Sequence, residues 1–346
     1  MGEHVRRVRY SGTHPKRFEE KYKEHNPEKY RDTVEKVISK GSTPAGMHLS
    51  IMVNEILDVL QIQPGQQGLD ATLGYGGHTS RMIEKLEGKG HMYALDVDPI
   101  EIVKTKARLE AKGYREEILT ICQQNFAYID EIAQKYGKFD FILADLGVSS
   151  MQIDNPERGF SYKTDAPLDL RLNPQAGVSA AERLEELTKD EFIGIMIENS
   201  DEPYAEEIAK AVWEKRRRGE KIETTFQLRD AIEKALIKVP QAERKQAVKK
   251  SCQRVFQALR IDVNSEFEVL YAFMEKLPEV LKPGGRVAIL TFHSGEDRMV
   301  KKMMKEHYAN GLYEEISKDV IRPSKEECIR NPRAASTKLR YAVRSR

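Results

Sequence analysis

The feature that most restricts the fold of this chain is the segment LDATLGYGGHTSRMI at 69–83, in which an apolar run ends in an acid and a glycine-rich loop leads into an amphipathic helix. Glycines at 74, 76 and 77 admit positive φ and let the backbone approach a ligand closely. The strand–helix alternation that begins here repeats. GHMYALDVD (90–98), EEILTICQQN (116–125) and FDFILADLG (139–147) read as strands, with helical periodicity at 76–87, 99–112 and 126–136. Such alternation specifies a parallel sheet with helices on both faces. After Gly147 it stops, and 150–250 reads as helices and loops. A long amphipathic segment (256–281), a fifth strand PGGRVAILTF (283–292) and a last strand KLRYAVR (338–344) complete the pattern. The expectation is an α/β, Rossmann-like domain over 47–149 and 251–346, interrupted by a helical domain at 150–250 and preceded by a basic extension at 1–46.

The chain is long enough for that core and a second, smaller one. No stretch of 18 apolar residues occurs and no apolar segment follows the basic N-terminus, so a soluble, cytoplasmic protein without membrane contact is expected. Cys122, Cys252 and Cys328 are far apart and in no CxxC pairing, which speaks against a disulfide framework or a zinc knuckle. The net charge of +2 hides basic ends: residues 1–46 carry 11 Lys/Arg against 7 Asp/Glu, and 322–346 carry 8 against 2. Basic ends suit a polyanion such as RNA, although a solvated tail has the same composition.

The glycine loop is no P-loop, because Gly-Lys-Ser/Thr is absent, and Thr79 replaces the third glycine of a dinucleotide fingerprint. The D-x-x-x-G-x-G arrangement resembles motif I of the class I S-adenosylmethionine (SAM) methyltransferases. Asp96, twenty residues past Gly76, ends the next strand, where a carboxylate can accept both hydroxyls of a ribose. Phe126 is placed to pack on an adenine or to begin a helix core. Asp145 ends the fourth strand and faces the crevice where such sheets bind ligands.

The segment DLGVSSMQIDNPERGFSYKTDAPLDLRL (145–172) closely resembles the MraW/RsmH family, the bacterial 16S rRNA cytosine-N4 methyltransferases. The resemblance runs from His48 to about Arg340, through DATLGYGGHTSRM (70–82), DVDP (96–99), FQALRIDVN (256–264), FHSGEDR (292–298) and NPRAASTKLR (331–340). It implies a Rossmann-like domain with an inserted helical domain, SAM as cofactor, and 16S rRNA in the small ribosomal subunit as partner. SAM contacts then fall on Gly76, Gly77, His78, Asp96, Phe126, Asp145 and Gln152, with Gly74 in the same loop. Read alone, His78 is a helix N-terminal residue and Gln152 a loop polar group. The sequence departs from the family pattern at Gly295 (usually leucine) and Ala335 (usually arginine), and KKSCQRVFQ lacks the usual His-Pro-Ala-Thr. A divergent paralogue is expected, with its target nucleotide open.

Methyl transfer from a sulfonium is an in-line displacement that needs no metal, and no metal ligand set is visible. Asp145 is the leading acceptor for hydrogens of the attacking amine, with Ser149 or backbone carbonyls as alternatives. Phe160 and Tyr162 are expected to stack on an unstacked base. Arg158, Asp169 and Arg171 are expected to position the nucleotide, or to pin the loop by salt bridges, and His293 and Arg298 lie on the rim after strand five. Arg216–Arg218, Lys245, Lys249 and Lys250 suit an RNA-facing surface or a merely solvated one. Other readings are a methyltransferase for another base or a small molecule, or a noncatalytic SAM-binding assembly factor; the oligomeric state, a homodimer included, stays open.

Overall fold

The computed structural model describes residues 50–346, so the expected extension at 1–46 lies outside the described residues. The chain enters through α1 (Val53–Leu60) and alternates β1 (Gln67–Asp70), α2 (Gly77–Lys85), β2 (His91–Asp96), α3 (Pro99–Ala111), β3 (Leu119–Gln123), α4 (Ile129–Tyr136) and β4 (Phe139–Asp145). Later come β5 (Leu281–Thr291), α12 (Ser294–Ala309), β6 (Tyr313–Ile316) and β7 (Lys338–Arg344). The sheet order is β3-β2-β1-β4-β5-β7-β6, parallel through β5, with β7 antiparallel to both of its neighbours. This is a Rossmann-like α/β fold, as expected. The edge strand β6 was not foreseen, since YEEI is short and two of its four residues are glutamates.

Burial on both faces explains why the strands read as continuous apolar runs. On one face α4, α12 and α11 (Glu266–Val280) bury Ile129, Ile132, Leu270, Phe273, Leu277 and Met303 against the sheet. On the other, Ile56 and Leu60 of α1, Met82 and Ile83 of α2 and Leu109 of α3 cover Phe141, Leu143 and Leu290.

Between β4 and α11 lie α5 (Ser150–Asp154), α6 (Ala180–Glu186), α7 (Lys189–Ser200), α8 (Ala205–Arg217), α9 (Thr225–Ala235) and α10 (Gln241–Val263). Helices α6 to α10 enclose a second apolar cluster built on Leu184, Phe192, Ile208, Val212, Leu228 and Leu259. Ser179, Thr188 and Thr224 each form a capping box at the start of α6, α7 and α9, which fixes those boundaries locally. Position 250, where the sequence suggests the insertion ends, lies inside α10, whose residues through Leu259 pack into this cluster. The chain then breaks at Ser265, in the left-handed region, and α11 returns it to the sheet.

Candidate active site

The carboxyl ends of β1, β2 and β4 open onto a cavity of about 430 Å³, closed on its far side by the last two turns of α10, the start of α11 and the loop after β5. That is within the size range of small-molecule sites. The glycine loop forms its floor. Gly76 precedes α2 at φ 79° and Gly74 has φ 47°, conformations that favour glycine. A Cβ on Gly76 would come within 3.0 Å of Thr105 and Leu109, so this glycine serves the packing of the loop on α3 and does not line the cavity. Gly74, Gly77 and His78 do line it.

Asp70 is buried behind the loop, where Thr79 Oγ1 donates to it at 2.6 Å and Thr72 N at 3.1 Å. Asp96 accepts the backbone N–H groups of Gly74 (2.8 Å) and Asp98 (2.9 Å), and burial pushes its pKa up to about 6 despite those bonds. It faces the cavity beside Phe126, whose ring stands edge-on to Phe273 at 5.1 Å.

Asp145 carries the strongest mark of function. Its Oδ2 lies 3.5 Å from His78 Nδ1, while its Oδ1 is buried without a hydrogen-bond partner. An unmatched buried acceptor is costly unless something completes it. Burial raises its pKa to about 6; the charge of His78 works against this, and those of Asp70 and Glu296 add to it. His78 Nε2 sits 2.8 Å from the carbonyl oxygen of Ile51, which can only accept, so Nε2 carries a proton and a proton between Nδ1 and Asp145 makes the pair favourable.

Ser149 and Gln152 lie on the wall but are committed to the capping box of α5: Ser149 Oγ accepts from Gln152 N, and Ser149 N donates to Gln152 Oε1. Gln152 Nε2 donates to Asp98 at 2.8 Å, so both polar ends of this side chain are occupied. Asp98, which the sequence did not single out, is the hub of the region. It caps α3 and also accepts Arg158 Nη1 at 2.7 Å.

The residues expected to touch substrate divide sharply. His293 lines the cavity. Arg158 is buried, with Nη2 donating to the carbonyls of Arg171 and Leu172 and Nε without a partner, so it pins the long loop and does not line the cavity. Phe160 packs against the helical cluster, and Tyr162 stands edge-on to Phe256 at 5.7 Å, which removes both from a stacking role in the cavity. Asp169 and Arg171 close on each other in a bidentate pair at 2.7 and 2.9 Å. Arg298 is exposed outside the cavity. Of the basic clusters, Arg216 is spent on the carbonyls of Leu184, Glu185 and Leu187, whereas Arg217, Arg218, Lys245, Lys249 and Lys250 are exposed.

On the far wall the sequence pointed to His293 but not to Arg260 or Glu266. Arg260 makes a bidentate pair with Glu266 at 2.7 and 2.8 Å, and His293 Nε2 lies 3.2 Å from Glu296 Oε1. Glu296 also accepts the N–H of Phe292; burial opposes its ionisation, but His293, this bond and Arg260 outweigh it and hold its pKa low. Gly295 has a physical reason: the Phe267 ring fills the space that a side chain there would need.

Known proteins share this sequence over nearly its whole length. The model of the MraW methylase family matches residues 45–345. A protein of Lachnoclostridium phytofermentans named ribosomal RNA small subunit methyltransferase H 1 is 67% identical over 342 residues, covering 99% of this chain and 93% of that one. One of the same name from Agathobacter rectalis is 67% identical over 343 residues, covering 99% and 98%. At that coverage the segment ahead of His48 is shared with both. Ribosomal RNA small subunit methyltransferase H of Heliobacterium modesticaldum is 37% identical, over 86% of this chain and 99% of its own. The chain, a methyltransferase, belongs to the MraW methylase family.

Proposed function

We propose that this enzyme transfers a methyl group from SAM to N4 of a cytidine in 16S rRNA of the small ribosomal subunit, in the cytoplasm. The observation that carries the reading is Asp145: an unpaired, buried carboxylate oxygen at the carboxyl end of β4, on the wall of the cavity. The resemblance of the sequence to cytosine-N4 methyltransferases and the names of the relatives favour this acceptor.

The residues present fit the cofactor. Gly74 leaves room for it, Gly77 borders the same space with Ser50 packed against it, Asp96 retains acceptor capacity for ribose hydroxyls, and Phe126 offers an apolar flank. His78 and Asp145 border the same space, while Gly76 and Gln152 shape the loops around it. Bound SAM supplies an electrophilic methyl group. Asp145 does the rest of the local work: accepting a hydrogen of the exocyclic amine localises a lone pair otherwise delocalised into the ring, and the carboxylate then takes the proton. Ser149 is a weaker candidate because its hydroxyl oxygen already accepts the Gln152 N–H.

Among the described residues, the SAM-binding part spans 50–149 and 266–346, and the helical insertion, which runs on through α10, shapes the acceptor side. Among the described residues no helix is long and apolar enough to cross a membrane. The test is to incubate the protein with labelled SAM and small subunits lacking the modification, then digest the RNA. N4-methylcytidine is the expected product; a different methylated nucleoside, or unlabelled subunits despite SAM binding, would overturn the assignment.

A further inference from the structure

The acceptor end of the cavity holds a grouping that methyl transfer does not require. Glu266 from the first turn of α11 and His293 and Glu296 from the start of α12 bring one donor atom each to within 4.8 Å of the others. We propose that these three side chains bind a divalent transition-metal ion, Mn²⁺ or Zn²⁺, with an open coordination position facing the cavity.

Two observations beyond the grouping point to a ligand. Both ring nitrogens of His293 are buried and make no hydrogen bond, although Nε2 is 3.2 Å from Glu296 Oε1. The edge-on contact with Phe267 at 5.9 Å satisfies neither nitrogen. A close N···O approach without hydrogen-bond alignment is the relation of two ligands on one ion: with metal–ligand distances of about 2.1 Å, neighbouring ligand atoms stand roughly 3.0 to 3.4 Å apart. Second, the acceptor end carries the carboxylates of Glu266 and Glu296 against the single guanidinium of Arg260, yet on the reading above it must admit part of a polyanion. A divalent ion at Glu266, His293 and Glu296 reverses the sign at that end.

Outer partners are in place. Arg260 orients Glu266 through both oxygens, leaving each a further lone pair, and Phe292 N holds Glu296 Oε2. One imidazole with two carboxylates suits Mn²⁺ or Zn²⁺ better than the all-oxygen surroundings that Ca²⁺ and Mg²⁺ prefer. Three protein ligands leave a position for water or for an oxygen of the acceptor nucleotide. The ion thus positions the acceptor and takes no part in breaking the carbon–sulfur bond. That placement rests on the proposed RNA substrate; the binding of the ion does not.

The experiment is to strip the full-length protein with a chelator, titrate it with Mn²⁺ and follow free and bound ion by electron paramagnetic resonance, with Zn²⁺ as competitor and neither RNA nor SAM present. One ion per chain is expected, with affinity falling at least tenfold in His293→Ala and in Glu296→Gln at unchanged circular dichroism. Glu266→Gln serves if either variant does not fold. No binding up to millimolar Mn²⁺, or binding unaltered in the variants, which would assign it to histidines elsewhere such as His4, His14 or His25, overturns the proposal. Methylation of the subunits measured separately shows whether the substrate reading stands.

Discussion

Nδ1 of His78 lies 3.5 Å from Oδ2 of Asp145, and the other ring nitrogen is fixed by the Ile51 carbonyl. The pair therefore has room for one proton between two atoms that would otherwise repel. Asp145→Asn, which keeps the shape but cannot take a proton, should lower the methylation rate by about 10² to 10⁴-fold. A single-turnover assay at saturating SAM checks this, and a near-normal rate would remove Asp145 from its assigned role.

The same carboxylate sets a pH limit. Its pKa is raised to about 6, and it accepts hydrogens only when ionised, so kcat/KM should fall about tenfold per unit below pH 6. A profile between pH 5 and 8 in one buffer series tests this; a flat profile in that range argues against Asp145 as acceptor.

Stability should move the other way. A folded-state pKa raised above the unfolded value means that the contribution of Asp145 is fully present below about pH 4 and is lost as pH rises through about 6. Asp145→Asn removes that loss. Its Tm should exceed that of the parent at pH 7.5, and the gap should shrink toward zero by pH 4. Thermal unfolding at both pH values decides it.

Arg158→Ala leaves the Asp98 carboxylate buried with one partner fewer and strands the carbonyls of Arg171 and Leu172. A loss of about 3 to 5 kcal/mol is expected from breaking such a buried pair. Urea unfolding measures it, and Lys should not rescue, because an ammonium lacks the planar fork that serves three acceptors.

Lys245, Lys249 and Lys250 are exposed on α10, whereas Arg216 is held by three carbonyls. Reversing the three lysines to glutamate should weaken binding to small-subunit RNA and flatten its dependence on log salt, by up to about 0.7 to 0.9 for each phosphate that is no longer neutralised. Arg216→Ala should leave the salt slope alone and lower Tm. Filter binding across a salt series separates the two.

Asp96 and Asp145 could be read from the sequence because each ends an apolar strand, and Gly74 because the loop after β1 needs a residue that tolerates positive φ. The sheet and the inserted helices were legible in the period of the apolar runs. Arg158 and Tyr162 could not be assigned that way: they lie in a loop whose packing against Asp98 and Phe256 is decided by residues 60 and 94 positions away. Glu266 was hidden more deeply. It reads as one charge on an amphipathic helix, and only the return of α11 toward the loop after β5 brings it to His293, 27 residues on. Asp98 caps α3, and nothing local in the sequence reveals the two further donors it gathers.

The helix α10 runs unbroken for 23 residues, from its exposed lysines to Arg260 on the cavity wall. At 1.5 Å per residue, Lys249 and Arg260 are separated by about 16 Å along the axis. A single rigid rod thus sets the reach between the exposed lysines and the cavity wall, and an insertion of one helical turn in α10 would shift the lysines by about 5.4 Å along the axis while leaving Arg260 in place.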